Sequence, residues 1–299
     1  MTTFSIAPVD RLASARALKR PKMAWQRGVT LVELMVGIAI GLLVVAVAMV
    51  ALMASRGISG TVSDASQLQQ QGAYAMRVIG NQLRQAGSLY LNPDPASAGT
   101  GADPMSPVAF ETNTTGTEGN NFNQEDTLGK VSTDSSLATA FRRYKDRVFI
   151  NTDEVALSRN CIGLPKDASE DRKTESNFTL ADDQLKCSGN GSTAQPVIGN
   201  IAELQFVYIE QSLGANGSEI QYKKAADVKN WRQVQGVQVC LVVYGTEPVD
   251  MPGGSKYVGC DGETEVDMTT LEGPRKNRLH LLLRNTFQLR SQALLEPSI

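Results

Sequence analysis

Histidine is nearly absent: the 299-residue chain contains one, His280. That removes most acid–base triads and imidazole metal sites at the outset. Net charge is lacking too, with Lys+Arg 29 against Asp+Glu 31, which argues against a nucleic-acid binder held by bulk positive charge. There is no phosphate-binding loop, because the single Gly-Lys pair, Gly129-Lys130, has no glycine at the required earlier position and is followed by Val131. No C-x-x-C occurs, and His280 lies 20 residues past the last of four cysteines, a poor arrangement for zinc. The composition does support folding, at 41% hydrophobic and 20% charged.

Charge is unevenly distributed. Before Gly28 stand Arg11, Arg16, Lys19, Arg20, Lys22 and Arg27 against Asp10 alone. From Leu34 to Ala54 the chain has no charge and no strong polar group, bounded by Glu33 and by Ser55-Arg56. As a helix this run is about 31 Å long, the thickness of a bilayer's hydrocarbon core. The basic excess places the N-terminus in the cytoplasm and residues 55–299 outside it. A removable secretory signal competes with this reading, but the run is long for one, and no A-x-A-type site or helix break follows it. Glu33 is the anomaly, since an ionised carboxylate beside this run is costly. It either marks the membrane boundary or meets a cation supplied by processing or by a neighbouring chain. Gly37 and Gly41 form a G-x-x-x-G, which permits close helix approach.

The string Gln26-Arg27-Gly28-Val29-Thr30-Leu31-Val32-Glu33-Leu34-Met35 resembles the processing site of type IV prepilins and type II secretion pseudopilins. The resemblance implies cleavage after Gly28 by prepilin peptidase, methylation of Val29 as the new terminus, and an assembly role for Glu33. Val29 departs from the family's usual Phe, and Met23 offers an alternative start with a short leader. Gln69-Gln70-Gln71-Gly72-Ala73-Tyr74, Asn81 to Gly87, Val237 to Val243 and Arg278 to Arg290 are similar to the PilW minor-pilin group. That resemblance implies a non-catalytic protein without cofactor, inserted in the inner membrane. It would join other minor pilins and the major pilin in a priming complex at the pilus tip, using the inner-membrane assembly machinery. In such a complex Glu33 would neutralise the cationic Val29 terminus of its own or a neighbouring chain. The alternatives are a type II secretion pseudopilin, or a single-pass inner-membrane protein whose exported domain binds a ligand.

The expected layout is a leader over 1–28, a membrane helix over 29–54, its amphipathic continuation over 55–90, a long surface connection over 91–140 and a β-rich domain over 141–299. Ile58, Val62, Ala65, Leu68, Gly72, Met76, Ile79, Leu83 and Ala86 recur at helical spacing, with Asp64, Gln67 and Arg77 off that stripe. Gly57 and Gly60 are expected to bend the helix, and Gly87 to stop it. Strands are expected at 147–151, 155–158, 201–210, 234–244 and 279–290, with Val237, Val239, Leu241, Val243 and Leu279, Leu281, Leu283 facing the core. The fold class is therefore α+β, a long N-terminal helix packed against a mostly antiparallel sheet.

Cys161, Cys187, Cys240 and Cys260 all fall in the exported part, where disulfides are the expected state. Of three possible connectivities, Cys161–Cys187 and Cys240–Cys260 enclose loop-like segments and are preferred. Three further features receive bland readings. His280 is a strand residue opposite Leu279 and Leu281, and Asp261 to Asp267 is a solvated loop lacking calcium-loop spacing. Arg142, Arg143, Lys145 and Arg147 form a strand-edge patch without the aromatic spacing of a nucleic-acid site.

Overall fold

The computed structural model describes residues 28–87, 126–129, 131, 133–143, 146–147, 154–155, 158–163, 173–214 and 217–289. They fall in two units, divided after Ser55. In the first, helix α1 (Leu31–Gln85, continuing into the second unit) begins with the apolar stretch Leu31–Met53, of mean hydropathy 2.9 and with none of it buried by the rest of the chain. Such a surface is unfavourable in water and is matched by hydrocarbon. Residues at Gly57 and Gly60 remain helical.

The second unit is β-rich. Its strands are β1 (Leu128–Gly129), β2 (Ser136–Arg142), β3 (Asp146–Arg147), β4 (Glu154–Val155), β5 (Lys173–Ala181), β6 (Gln184–Ser188), β7 (Gln195–Ile198), β8 (Ile201–Gly214), β9 (Gly217–Lys223), β10 (Val234–Pro248), β11 (Lys256–Val258), β12 (Glu265–Asp267) and β13 (Arg278–Gln288). One antiparallel sheet has the order β1-β2-β5-β6-β7, a second has β13-β10-β8-β9, and β3-β4 and β11-β12 form separate pairs. The protein is thus α+β, with a long helix and antiparallel sheets.

The alternation in β10 and β13 is realised as expected. Val237, Val239, Leu241 and Val243 enter the main core, with Leu279, Leu281 and Leu283 packed against it. They meet Leu68, Met76, Ile79 and Leu83 of the helix there, together with Leu137, Phe178 and Leu185 of the first sheet. Two helix glycines set the approach: a Cβ at Gly72 would overlap the Leu283 side chain, and one at Gly80 the Phe287 ring. The reverse face of β10 is also covered. Cys240, Val242 and Tyr244 form a smaller cluster with Ala202 and Cys260, beneath the segment carrying β11 and β12. Burial on both faces explains why β10 reads as a nearly continuous apolar run.

The structure differs from the sequence expectation in three places. Val62, assigned to the apolar stripe, is 64% exposed, whereas Asp64, assigned to the polar side, is 4% exposed. The buried face is rotated there because this part of the helix meets the backbone of β10 at Thr246, not an apolar sheet face. Strand β2 starts at Ser136, inside the stretch whose composition reads as irregular, and β1 precedes it. Strands β5, β6, β7, β9, β11 and β12 also lack a counterpart in the expectation, and β12 takes in Glu265–Asp267 of the stretch read as a loop. Most of the strands expected at 147–151 and 155–158 lies outside the described residues. So do the leader and residues 88–125 of the connecting region.

Candidate functional site

The site suggested by the sequence is built where chain becomes helix. Gly28, Val29 and Thr30 are non-helical and exposed. Thr30 then acts as N-cap: its carbonyl accepts the Leu34 N–H at 3.1 Å, and its hydroxyl accepts the Glu33 N–H at 3.2 Å. A Thr followed three residues later by Glu is a capping box, in which the side chain at the first position satisfies an orphan amide of the first turn. Glu33 consequently sits where the partial positive charge of the helix end favours a carboxylate. The motif Thr30-x-x-Glu33 was available in the sequence as a capping signal and was missed there, overshadowed by the membrane cost of Glu33.

The glycines of this segment have no role in their own chain's packing. A Cβ at Gly28, Gly37 or Gly41 would meet nothing within 4 Å. Val29 is 66% exposed, and the large apolar residues from Leu31 to Met53 are at least about half exposed.

In the second unit, charged groups tie the elements together. Asp64 reaches from the helix to a bulged stretch of β10, where its Oδ1 accepts the Thr246 N–H at 2.9 Å and the Thr246 hydroxyl at 3.1 Å. A Cβ at residue 245 would collide with this carboxylate, so Gly245 is required by it. Asp183, in the β5–β6 turn, takes a two-pronged contact from Arg275 and the Tyr244 hydroxyl at 3.0 Å. The Arg275 guanidinium holds the Asp183 carboxyl below its ordinary range. Glu203 accepts the Tyr257 hydroxyl at 3.1 Å and the Cys260 N–H at 2.8 Å, fixing the β11–β12 segment onto the sheet. Burial, then the charge of Glu203, push the Tyr257 hydroxyl up to about 12.

Each remaining candidate has a structural placement. Disulfides join Cys161 to Cys187 and Cys240 to Cys260. His280 lies opposite Leu279 and Leu281 as expected, stacked on Tyr257 at 4.6 Å with Nδ1 2.9 Å from the Arg278 carbonyl. Burial lowers its pKa. No hydroxyl or thiol nucleophile contacts its ring among the described residues. Asp261 folds back on its own loop, accepting the Thr264 hydroxyl and then the Thr264 and Glu263 amides, and these bonds draw its carboxyl down to about 2. Arg143 of the basic patch is buried, donating to the Thr174 hydroxyl at 3.2 Å, and is not displayed to a polyanion. Lys145 lies outside the described residues.

The chemistry on display is therefore a capped apolar helix and a braced β domain. Comparison with known proteins agrees. Residues 169–291 match the family described as type IV pilus-assembly protein W, and residues 26–49 match the prokaryotic N-terminal methylation motif. Among solved structures, a type IV-like pilin from Thermus thermophilus is similar at 14% identity and a TM-score of 0.29, over 56% of this chain and 84% of that one. At that score the likeness adds nothing to the fold described above. No curated protein matches the chain significantly. The two family matches cover the late strands and the capped helix start separately, and together they support a type IV pilus minor pilin of the PilW family.

Proposed function

We propose that the protein is a non-catalytic subunit that helps to initiate type IV pilus assembly, in a tip-located complex with other minor pilins and the major pilin. The observation that carries this reading is the join at Thr30, an exposed, non-helical Gly28-Val29 followed directly by an apolar helix that its own chain leaves uncovered. Prepilin peptidase cuts after Gly28 and methylates Val29. The basic leader stays cytoplasmic while residues 55–299 lie in the periplasm, and the inner-membrane assembly machinery then extracts the helix. Neighbouring helices supply the missing packing, with Gly37 and Gly41 as points of close approach. Glu33 neutralises the amine created on Val29 of its own or a neighbouring chain, removing the penalty of a carboxylate in lipid. The match to the PilW family favours the pilus over a type II secretion system.

The test is mass spectrometry of the protein's N-terminus in membranes and in sheared pili, from cells with and without prepilin peptidase. The expected result is a methylated chain beginning at Val29, seen only with the peptidase and present in the pilus fraction. A chain with its leader intact in both strains would overturn the reading.

A further inference from the structure

We infer that Thr30 is a specificity-determining residue for processing, acting by where it stops the helix. This rests on the proposed cleavage between Gly28 and Val29. In that hydrolysis water adds to the Gly28 carbonyl carbon, the C–N bond breaks, the oxygen of water stays on the Gly28 carboxylate, and Val29 leaves as the amine after taking a proton. The carbonyl must therefore be free, and the chain around it extended.

The cap secures both conditions. The Thr30 carbonyl accepts the first helical hydrogen bond, from Leu34, so the Gly28 and Val29 carbonyls precede the ladder. The Thr30 hydroxyl holds the Glu33 amide at 3.2 Å. Without that side chain the boundary is free to move upstream. Two more residues of helix make Gly28 the capping position, and its carbonyl becomes the acceptor for the Val32 amide. The electrophile is then engaged, and the scissile bond lies at the start of the coil.

Among the described residues, no other side chain holds the boundary in place. Val29 is 66% exposed, and a side chain at 28 would meet no neighbour. The weak helix propensities of Gly28 and Val29 oppose extension only modestly, which leaves the Thr30 hydroxyl as the specific stop.

The experiment compares full-length variants at residue 30 in membranes containing prepilin peptidase, with cleavage followed by the mass of the new terminus. Thr30→Ser and Thr30→Asn keep a cap, and Thr30→Gly ends a helix almost as well without a side chain, so all three should be processed at close to the wild-type rate. Thr30→Val, nearly identical to Thr in shape, and Thr30→Ala lack the cap and should be processed roughly fivefold more slowly. If Val behaves as wild type while Asn and Gly fail, the peptidase reads the shape of residue 30 and the inference is wrong. Equal processing of all five variants also overturns it. An uncut wild-type chain overturns the proposed function as well, which distinguishes the two failures.

Discussion

The Asp64 clamp offers a sharp quantitative test. Asp64→Ala removes the acceptor for the Thr246 amide and hydroxyl. Hydrogen bonds to a charged acceptor contribute about 1.5–3 kcal/mol, and Thr246 itself is exposed, so water recovers part of the loss. A destabilisation of about 2 kcal/mol is expected from these opposing effects. Gly245→Ala should cost about as much by a different route, because its new Cβ occupies the space of the Asp64 carboxylate and displaces it from the same two donors. The double variant is decisive. With residue 64 shortened, the Cβ at 245 has room, so the double variant should lose far less than the two single losses combined. The assay is thermal unfolding of the detergent-solubilised chain, followed by near-ultraviolet circular dichroism. Trp231, buried edge-on against Tyr208 at 4.8 Å, reports on the β domain. A loss of about 2 kcal/mol corresponds to a midpoint shift of roughly 4–8 °C for a unit of this size. Additive losses would mean that Gly245 and Asp64 act independently, refuting the clamp.

Three other predictions concern the same domain. The folded pKa of His280 lies below its unfolded value of about 6.5, so the folded form binds fewer protons in mild acid. Stability should be full above pH 6.5 and decline as pH falls below it, and His280→Gln should flatten that part of a pH series of melting curves. A second decline, to which Asp183 contributes, belongs below about pH 3.8, where its carboxylate loses Arg275, and should shrink in Asp183→Asn while the part from Asp261 remains. Replacing Cys240 and Cys260 with serine should lower the unfolding free energy by roughly 3 kcal/mol on the chain-entropy account. It should also raise amide exchange selectively between residues 249 and 277, since the disulfide anchors that segment to β10. Uniform exchange changes would contradict that placement.

The sequence displayed those elements whose burial is apolar and periodic. Strands β10 and β13 show because their inward residues meet the helix stripe and the reverse face of β10 is apolar too, and the membrane segment declares itself by length alone. The first sheet was hidden by its chemistry. In β5 the inward residues include Thr174 and Ser176, with Lys173, Glu175 and Asn177 between them. A strand whose buried face is bonded instead of greasy has no hydrophobic period. Ser176 instead donates to Gln82 on the helix at 2.8 Å, a pairing across 94 residues that leaves no local mark. Asp64 misled for the same reason, since a carboxylate bonded to a distant backbone looks locally like a solvated one. The Thr30 cap, in contrast, left a local mark in its spacing to Glu33, which the membrane cost of Glu33 overshadowed.

The fit of Leu283 and Phe287 against Gly72 and Gly80 has a consequence for how this protein is made. The helix is among the first segments synthesised, and the strand that covers it is among the last. Contacts joining residues more than 200 positions apart give the domain a high contact order, and such folds close slowly. Until β13 has emerged, the helix surface at Gly72 and Gly80 lacks the side chains that fit against it. The emerging chain is then a partly covered, sticky intermediate. Losing β13 would strip these contacts from the helix while those from β2, β5 and β10 remain, so the late strand serves as the latch that completes the cover.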